Sequence, residues 1–171
     1  NDWRLWAFDH GIDERIIAYI SYKNEHLFTF DAKSDAKSFA TPRSWEYVNN
    51  VLKSGVDASI LLEVLSGTIG KEVAVSFLSF IKVMHRLPDM EKILQTGEGE
   101  YSEEVDVLYA LSSGLVSRTI NNETTIDNLL KYTLKLKSEF AVMIVQDLQR
   151  SGVSMEHSAV FKEWVKKFAY I

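Results

Sequence analysis

Cysteine is absent from the 171 residues, which excludes a disulfide framework, thiolate-bound zinc and a thiol nucleophile together, and fits a cytoplasmic protein. Long uncharged runs are missing too. The segment 107–117 is the longest kind present, far short of the ~20 residues of a membrane-spanning helix. No stretch near Asn1 reads as a signal peptide, and a start at Asn rather than Met is expected of a piece of a longer protein. Positive charge is not in excess, with 19 Lys and Arg against 24 Asp and Glu and a net charge of −5. That balance argues against a chain built to hold nucleic acid or anionic lipid. It is evenly spread, with 11 basic against 13 acidic residues up to Gly97 and 8 against 11 beyond it.

What is present is an ordinary globular composition, 46% apolar and 12% aromatic, enough for one sizeable core or two small ones. Two prolines and eight glycines leave long stretches without a breaker, and apolar residues recur at three-and-four spacing. These features predict an all-α helical bundle. Helices are expected near 2–9, 13–23, 43–53, 58–66, 69–85, 89–95, 102–118, 125–136, 139–150 and 155–169. Val73, Phe77, Phe80, Ile81 and Met84 mark one face, and Pro88 ends that run. Ile126, Leu129, Leu130, Thr133 and Leu134 mark a second, and Val160, Phe161, Trp164, Val165 and Phe168 a third. Residues 140–145 are apolar on every side, as for a helix in the middle of its bundle.

Thr41, Asp57, Thr68, Ser102, Thr124, Ser138 and Ser154 stand where an oxygen would cap a helix start, Thr124 with capping-box spacing to Asp127. The segment 26–30 is the only strand candidate. The polar stretch 31–40 reads as a loop, and Thr96-Gly97-Glu98-Gly99-Glu100 as a flexible acidic linker between two helical subdomains.

Several chemistries fail on inspection. His10, His26, His85 and His157 share no metal-ligand spacing and read as surface or capping residues. Asp13-Glu14 and Glu103-Glu104 each open an expected helix, where the macrodipole favours negative charge. Asp31 and Asp35 lack the third ligand and the glycine of an EF-hand. Gly67-Thr68-Ile69-Gly70-Lys71-Glu72 resembles the end of a phosphate loop only briefly. Leu65 stands where its first glycine belongs, Glu72 stands where Ser or Thr belongs, and no strand precedes it. The segment reads as a helix–turn–helix connection. Lys162, Lys166 and Lys167 fall in last helix turns and read as a solvated face.

Thr41-Pro42-Arg43-Ser44-Trp45 is different. Thr as cap and Pro at the first position set a helix start, yet Arg43 then puts a cation beside free N–H groups that already carry partial positive charge. A bound phosphate would relieve the conflict, and so would pairing with Asp31 or Asp35.

Phe30-Asp31-x-Lys33-Ser34-Asp35 with Phe39-x-Thr41-Pro42-Arg43-Ser44-Trp45-Glu46 resembles the segment after the core ATPase domain of bacterial and phage MoxR-type AAA+ ATPases. Gly11-Ile12, Ile16-Ile17-Ala18-Tyr19, Ser66-Gly67-Thr68-Ile69-Gly70, Phe77-Leu78, Ser138-Glu139-Phe140-Ala141-Val142, Asp147-Leu148 and Phe161-x-x-Trp164 are similar to the family's flanking helices. The resemblance covers most of the chain, with the Thr-Pro-Arg-Ser-Trp block as its one sharp motif. It implies an AAA+ lid-like domain over 1–97 and a C-terminal helical extension over 98–171.

On this resemblance Arg43 is the sensor-2 arginine that reaches nucleotide phosphates, with Thr41, Pro42 and Trp45 supporting its helix. ATP and Mg²⁺ would be bound by the full-length parent and neither by this piece alone, which, without Walker A or B, would be inactive. The implied partners are the upstream AAA+ core, further copies in a homo-oligomeric ring and a von Willebrand factor A domain protein. Nucleic acid and membrane are not expected as partners. The reading from the residues alone leaves a freestanding all-helical protein-interaction module as the alternative, while a helix–turn–helix DNA binder is disfavoured by the charge.

Overall fold

The computed structural model describes residues 2–168 and is all-helical there, with no strand among the described residues. Ten α-helices follow one another: α1 (Asp2–Asp9), α2 (Glu14–Tyr22), α3 (Pro42–Lys53), α4 (Ala58–Ile69), α5 (Lys71–Ile81), α6 (Met90–Thr96), α7 (Val105–Asn121), α8 (Ile126–Thr133), α9 (Ser138–Arg150) and α10 (Ala159–Phe168). The strand candidate 26–30 begins instead in a 3₁₀ turn, Asn24–Leu27, and then runs extended, with the Thr29 N–H donating to the Ala40 carbonyl at 2.9 Å. Among the described residues no helix is long and apolar enough to cross a membrane.

Two compact units form, one up to His85 and one from Arg86. In the first, α2 buries Ile16, Ile17, Tyr19 and Ile20, α3 buries Trp45 and Val48, and α4 and α5 bury Leu65, Ile69 and Phe77. The helix expected over 69–85 begins at Lys71 and gives way to a 3₁₀ turn over Lys82–Arg86; before it stands Gly70, whose φ of 86° and close approach to the Ser38 carbonyl (3.1 Å from an added Cβ) both require glycine. The same segment is thus a helix–turn–helix connection, as its sequence implies.

In the second unit α7, not α9, is the helix enclosed on all sides. Residues 107–116 are buried apart from Tyr109, whereas Val142, Met143 and Gln146 leave α9 a partly open face. Gly114 lets Met90 approach so closely that a Cβ would lie 2.7 Å from its sulfur, and the small Ser112-Ser113-Gly114 run permits what bulky residues would not.

The expected division at Gly97 is corrected by the packing of 97–104 inside the second unit. Gly97 closes α6 in the left-handed conformation, with its N–H on the Ile93 carbonyl at 2.8 Å. The Asn128 amide donates to the Leu94 and Gln95 carbonyls at 3.0 and 2.7 Å, and the Tyr132 hydroxyl donates to the Glu100 carbonyl at 2.7 Å. Glu98 pairs with Lys135 at 2.9 Å, and Arg86 pairs with Glu104 and Asp106. An acidic, glycine-containing run looks like a linker by composition; these partners, 18 to 37 positions away, are invisible locally.

Caps divide similarly. Asp57 caps α4 through the Ser59 N–H at 2.7 Å, but the Thr68 hydroxyl lies inside α4 and donates to the Val64 carbonyl. Ser158, not Ser154, receives an N–H at the start of α10, that of Phe161 at 3.0 Å. Ser102, Thr124 and Ser138 are not the N-caps; Glu104, Thr125 and Lys137 stand there, none with a side-chain cap bond.

Packing of 97–104 is open to test. A Cβ at Gly99 would lie 2.4 Å from Cγ1 of the fully buried Ile93, so Gly99→Ala is expected to destabilise the second unit by about 1–3 kcal/mol in urea unfolding. An unchanged midpoint would return this segment to the role of a free linker.

Candidate functional site

The start of α3 is built as its sequence demands. Thr41 adopts extended backbone (φ −145°, ψ 162°), its hydroxyl oxygen accepts the Ser44 N–H at 3.1 Å, and the Ser44 hydroxyl oxygen accepts the Thr41 N–H at 2.7 Å. This reciprocal pair satisfies two backbone donors, and Pro42 occupies the one position where a missing N–H costs nothing. No acidic residue lies in the first turn. Farther along, the Asn49 side chain accepts the Asp13 N–H at 2.9 Å, tying the start of α2 to α3.

Trp45 is wholly buried and stands edge-on to Phe77, ring centres 5.2 Å apart and planes 84° apart, while Nε1 donates to the His26 carbonyl at 3.0 Å. Tyr19 completes the cluster, 5.7 Å from the Trp45 ring and 5.2 Å from that of Phe77. Its hydroxyl shares a 2.5 Å hydrogen bond with Nδ1 of His26, in which the imidazole tautomer decides which of the two donates. Burial pushes the Tyr19 phenol up to about 12. His26, half-buried in the last turn of the 3₁₀ helix, is thus joined to the cluster through both its ring and its carbonyl.

Arg43 lies at the rim of a concavity of about 570 Å³ lined by Lys37, Ser38, Phe39, Thr41, Arg43, Ser44, Tyr47, Gly67 and Thr68. Its guanidinium is exposed and meets neither hydrogen-bond nor ion-pair partner among the described residues. Pairing with Asp31 or Asp35 does not occur; the Asp31 carboxylate accepts the Lys33 N–H at 2.9 Å instead. The lining carries two cations and no carboxylate.

Of the four expected residues, Thr41 and Arg43 reach the concavity, whereas Pro42 and Trp45 do not line it and act through the helix. Sequence reading missed Lys37, Phe39 and Tyr47 and the return of Gly67-Thr68 to the same place. The Ser38 hydroxyl makes that return possible by donating to the Ser66 carbonyl at 2.8 Å. Nothing local in either segment signals the contact.

Elsewhere some charged groups have partners. Asp13 caps α2 and pairs with Arg15 at 2.6 Å, the helix-opening role expected of it. The His10 ring stacks on Trp6, centroids 4.4 Å apart. Among the described residues no group of three or more His, Asp or Glu is placed to hold a metal ion.

Burial, aided by the Lys23 charge and opposed by Glu25 and Glu72, holds His26 below the usual imidazole range. The unfolded chain takes up this proton near pH 6.5 and the folded chain only at lower pH, so the contribution to stability is present above about 6.5 and is lost below it. Melting temperature is expected to fall between about pH 7.5 and about pH 5.5, and to fall less in His26→Gln. An identical fall in the variant would contradict the assignment.

Compared with models of known families, with curated proteins and with solved structures, the chain matches none.

Proposed function

We propose that the chain is the C-terminal helical region of a MoxR-type AAA+ ATPase, in which the first unit is the lid and Arg43 senses the phosphates of a nucleotide bound chiefly by an upstream core. The observation that carries this reading is an arginine in the first turn of a capped helix, exposed, without a protein partner and beside a second cation in an acid-free concavity. Its position repels it from the N-terminal end of the dipole by a few tenths of a kcal/mol, up to about 1. An oxyanion there reverses the sign of that term, since guanidinium and helix end attract the same phosphate oxygens. The Thr-Pro-Arg-Ser-Trp block through which the chain resembles this family falls on the same turn.

In this reading ATP with Mg²⁺ supplies the phosphoryl group. The lining fits phosphate and offers no carboxylate for the metal, which would come with the core. Arg43 would favour the closed lid while the γ-phosphate is present and release it afterwards, converting nucleotide state into movement within a homo-oligomeric ring. Chaperone-like remodelling alongside a von Willebrand factor A domain protein belongs to the same proposal. A protein-contact module without nucleotide is the second reading, favoured by the exposure of Phe28 (59%) and Phe30 (51%) on the loop before α3.

The test is the ATPase rate of the complete gene product. Arg43→Ala is expected to lower turnover about tenfold or more with the helical spectrum intact. Near-normal turnover in that variant would sink the lid reading in favour of the contact module.

A further inference from the structure

Resting on that reading, we propose that Lys37 is a second phosphate-contacting cation, so that the concavity takes two or more linked phosphoryl groups and not a single oxyanion. The polar groups of the lining divide into those already engaged and those left over. The Ser38 hydroxyl donates to the Ser66 carbonyl, and that of Thr68 to the Val64 carbonyl. Thr41 and Ser44 hold each other across the first turn of α3. These four hydroxyls frame the site. The Tyr47 hydroxyl and the two cations remain: Lys37, like Arg43, has no hydrogen-bond or ion-pair partner among the described residues.

Lys37 is also placed rather than adrift. The residue after it is pinned to α4 by its hydroxyl, Phe39 packs on Phe30 with ring centres 4.9 Å apart, and the Ala40 N–H donates to the Thr29 hydroxyl at 2.9 Å. The neighbouring acids in sequence, Asp35 and Glu46, do not line the concavity. Two uncompensated cations on one concave surface of a chain with net charge −5 repel each other unless an anion bridges them. The two groups have complementary habits: the planar guanidinium grips one phosphoryl group through two parallel bonds, while an ammonium on a flexible stem meets a neighbouring one as a point charge. The volume of about 570 Å³ has room for such a chain.

The experiment is an amide-shift titration of the full 171-residue chain with sodium tripolyphosphate and, separately, inorganic phosphate at constant ionic strength. Tripolyphosphate is expected to move signals of residues 37–47 and 67–68 and to bind more tightly than phosphate. Lys37→Ala is expected to weaken tripolyphosphate about fivefold and Lys37→Arg to restore it, with phosphate binding little changed in both. If Lys37→Ala binds tripolyphosphate as the wild type does while Arg43→Ala binds it weakly, the inference is overturned and the sensing role of Arg43 stands. If no signal in either segment moves, the inference is overturned, and the sensing role of Arg43 stands or falls by the ATPase rate of the complete gene product.

Discussion

Trp45 enters the first unit with its whole indole out of water, edge-on to Phe77, beside Tyr19, and with Nε1 on the His26 carbonyl. An aromatic side chain of this size removes roughly 150–250 Å² from solvent, on the order of 4–6 kcal/mol at about 25 cal/mol per Å². Its larger consequence is angular. Successive helical residues turn by about 100°, so a residue two positions earlier faces nearly the opposite way. Burying Trp45, Val48 and Asn49 therefore sets the roll of α3 and turns Arg43 and Tyr47 outward. The Thr41–Ser44 cap then fixes where the helix starts, and with it the height of the guanidinium. Core packing and site geometry are one constraint seen from two sides.

The charges around this helix form a contrast within the same molecule. Arg15 is matched by Asp13, Arg86 by Glu104 and Asp106, and Lys135 by Glu98. Such exposed pairs contribute little to stability individually. Arg43 and Lys37, like several other exposed cations, have no such partner, but these two share one lining that holds no carboxylate, at the start of α3. Uncompensated like charge in a concave place is a feature that stability alone disfavours.

Much of the architecture was legible because helical periodicity and caps are local. The stripe Val73, Phe77, Phe80 faces the core as its spacing requires, and Thr41-Pro42 opens α3 where the two residues say it should. Gly97-Glu98-Gly99 misled, since its composition is that of a linker while its contacts with Ile93, Tyr132 and Lys135 depend on tertiary packing. The enclosed helix of the second unit was misplaced for a related reason: Ser112, Ser113 and Gly114 look less apolar than residues 140–145, yet their small size is what allows neighbours to close around α7. At the site, Arg43 stood out because it violates a local electrostatic rule. Lys37, Phe39 and Tyr47 violate none, and the bond from Ser38 to Ser66 that holds the loop of the first two against α4 has no local signal.

The central claim is that Arg43 is held for an anion and not for the fold, and the thermal unfolding of Arg43→Ala in phosphate-free, low-salt buffer tests it most directly. Removing an unpartnered cation from the first turn of α3 should leave the melting midpoint unchanged or raise it, by a few tenths of a kcal/mol and at most about 1. A loss of more than about 1 kcal/mol would mean that Arg43 makes a stabilising contact within the protein, and would contradict the account.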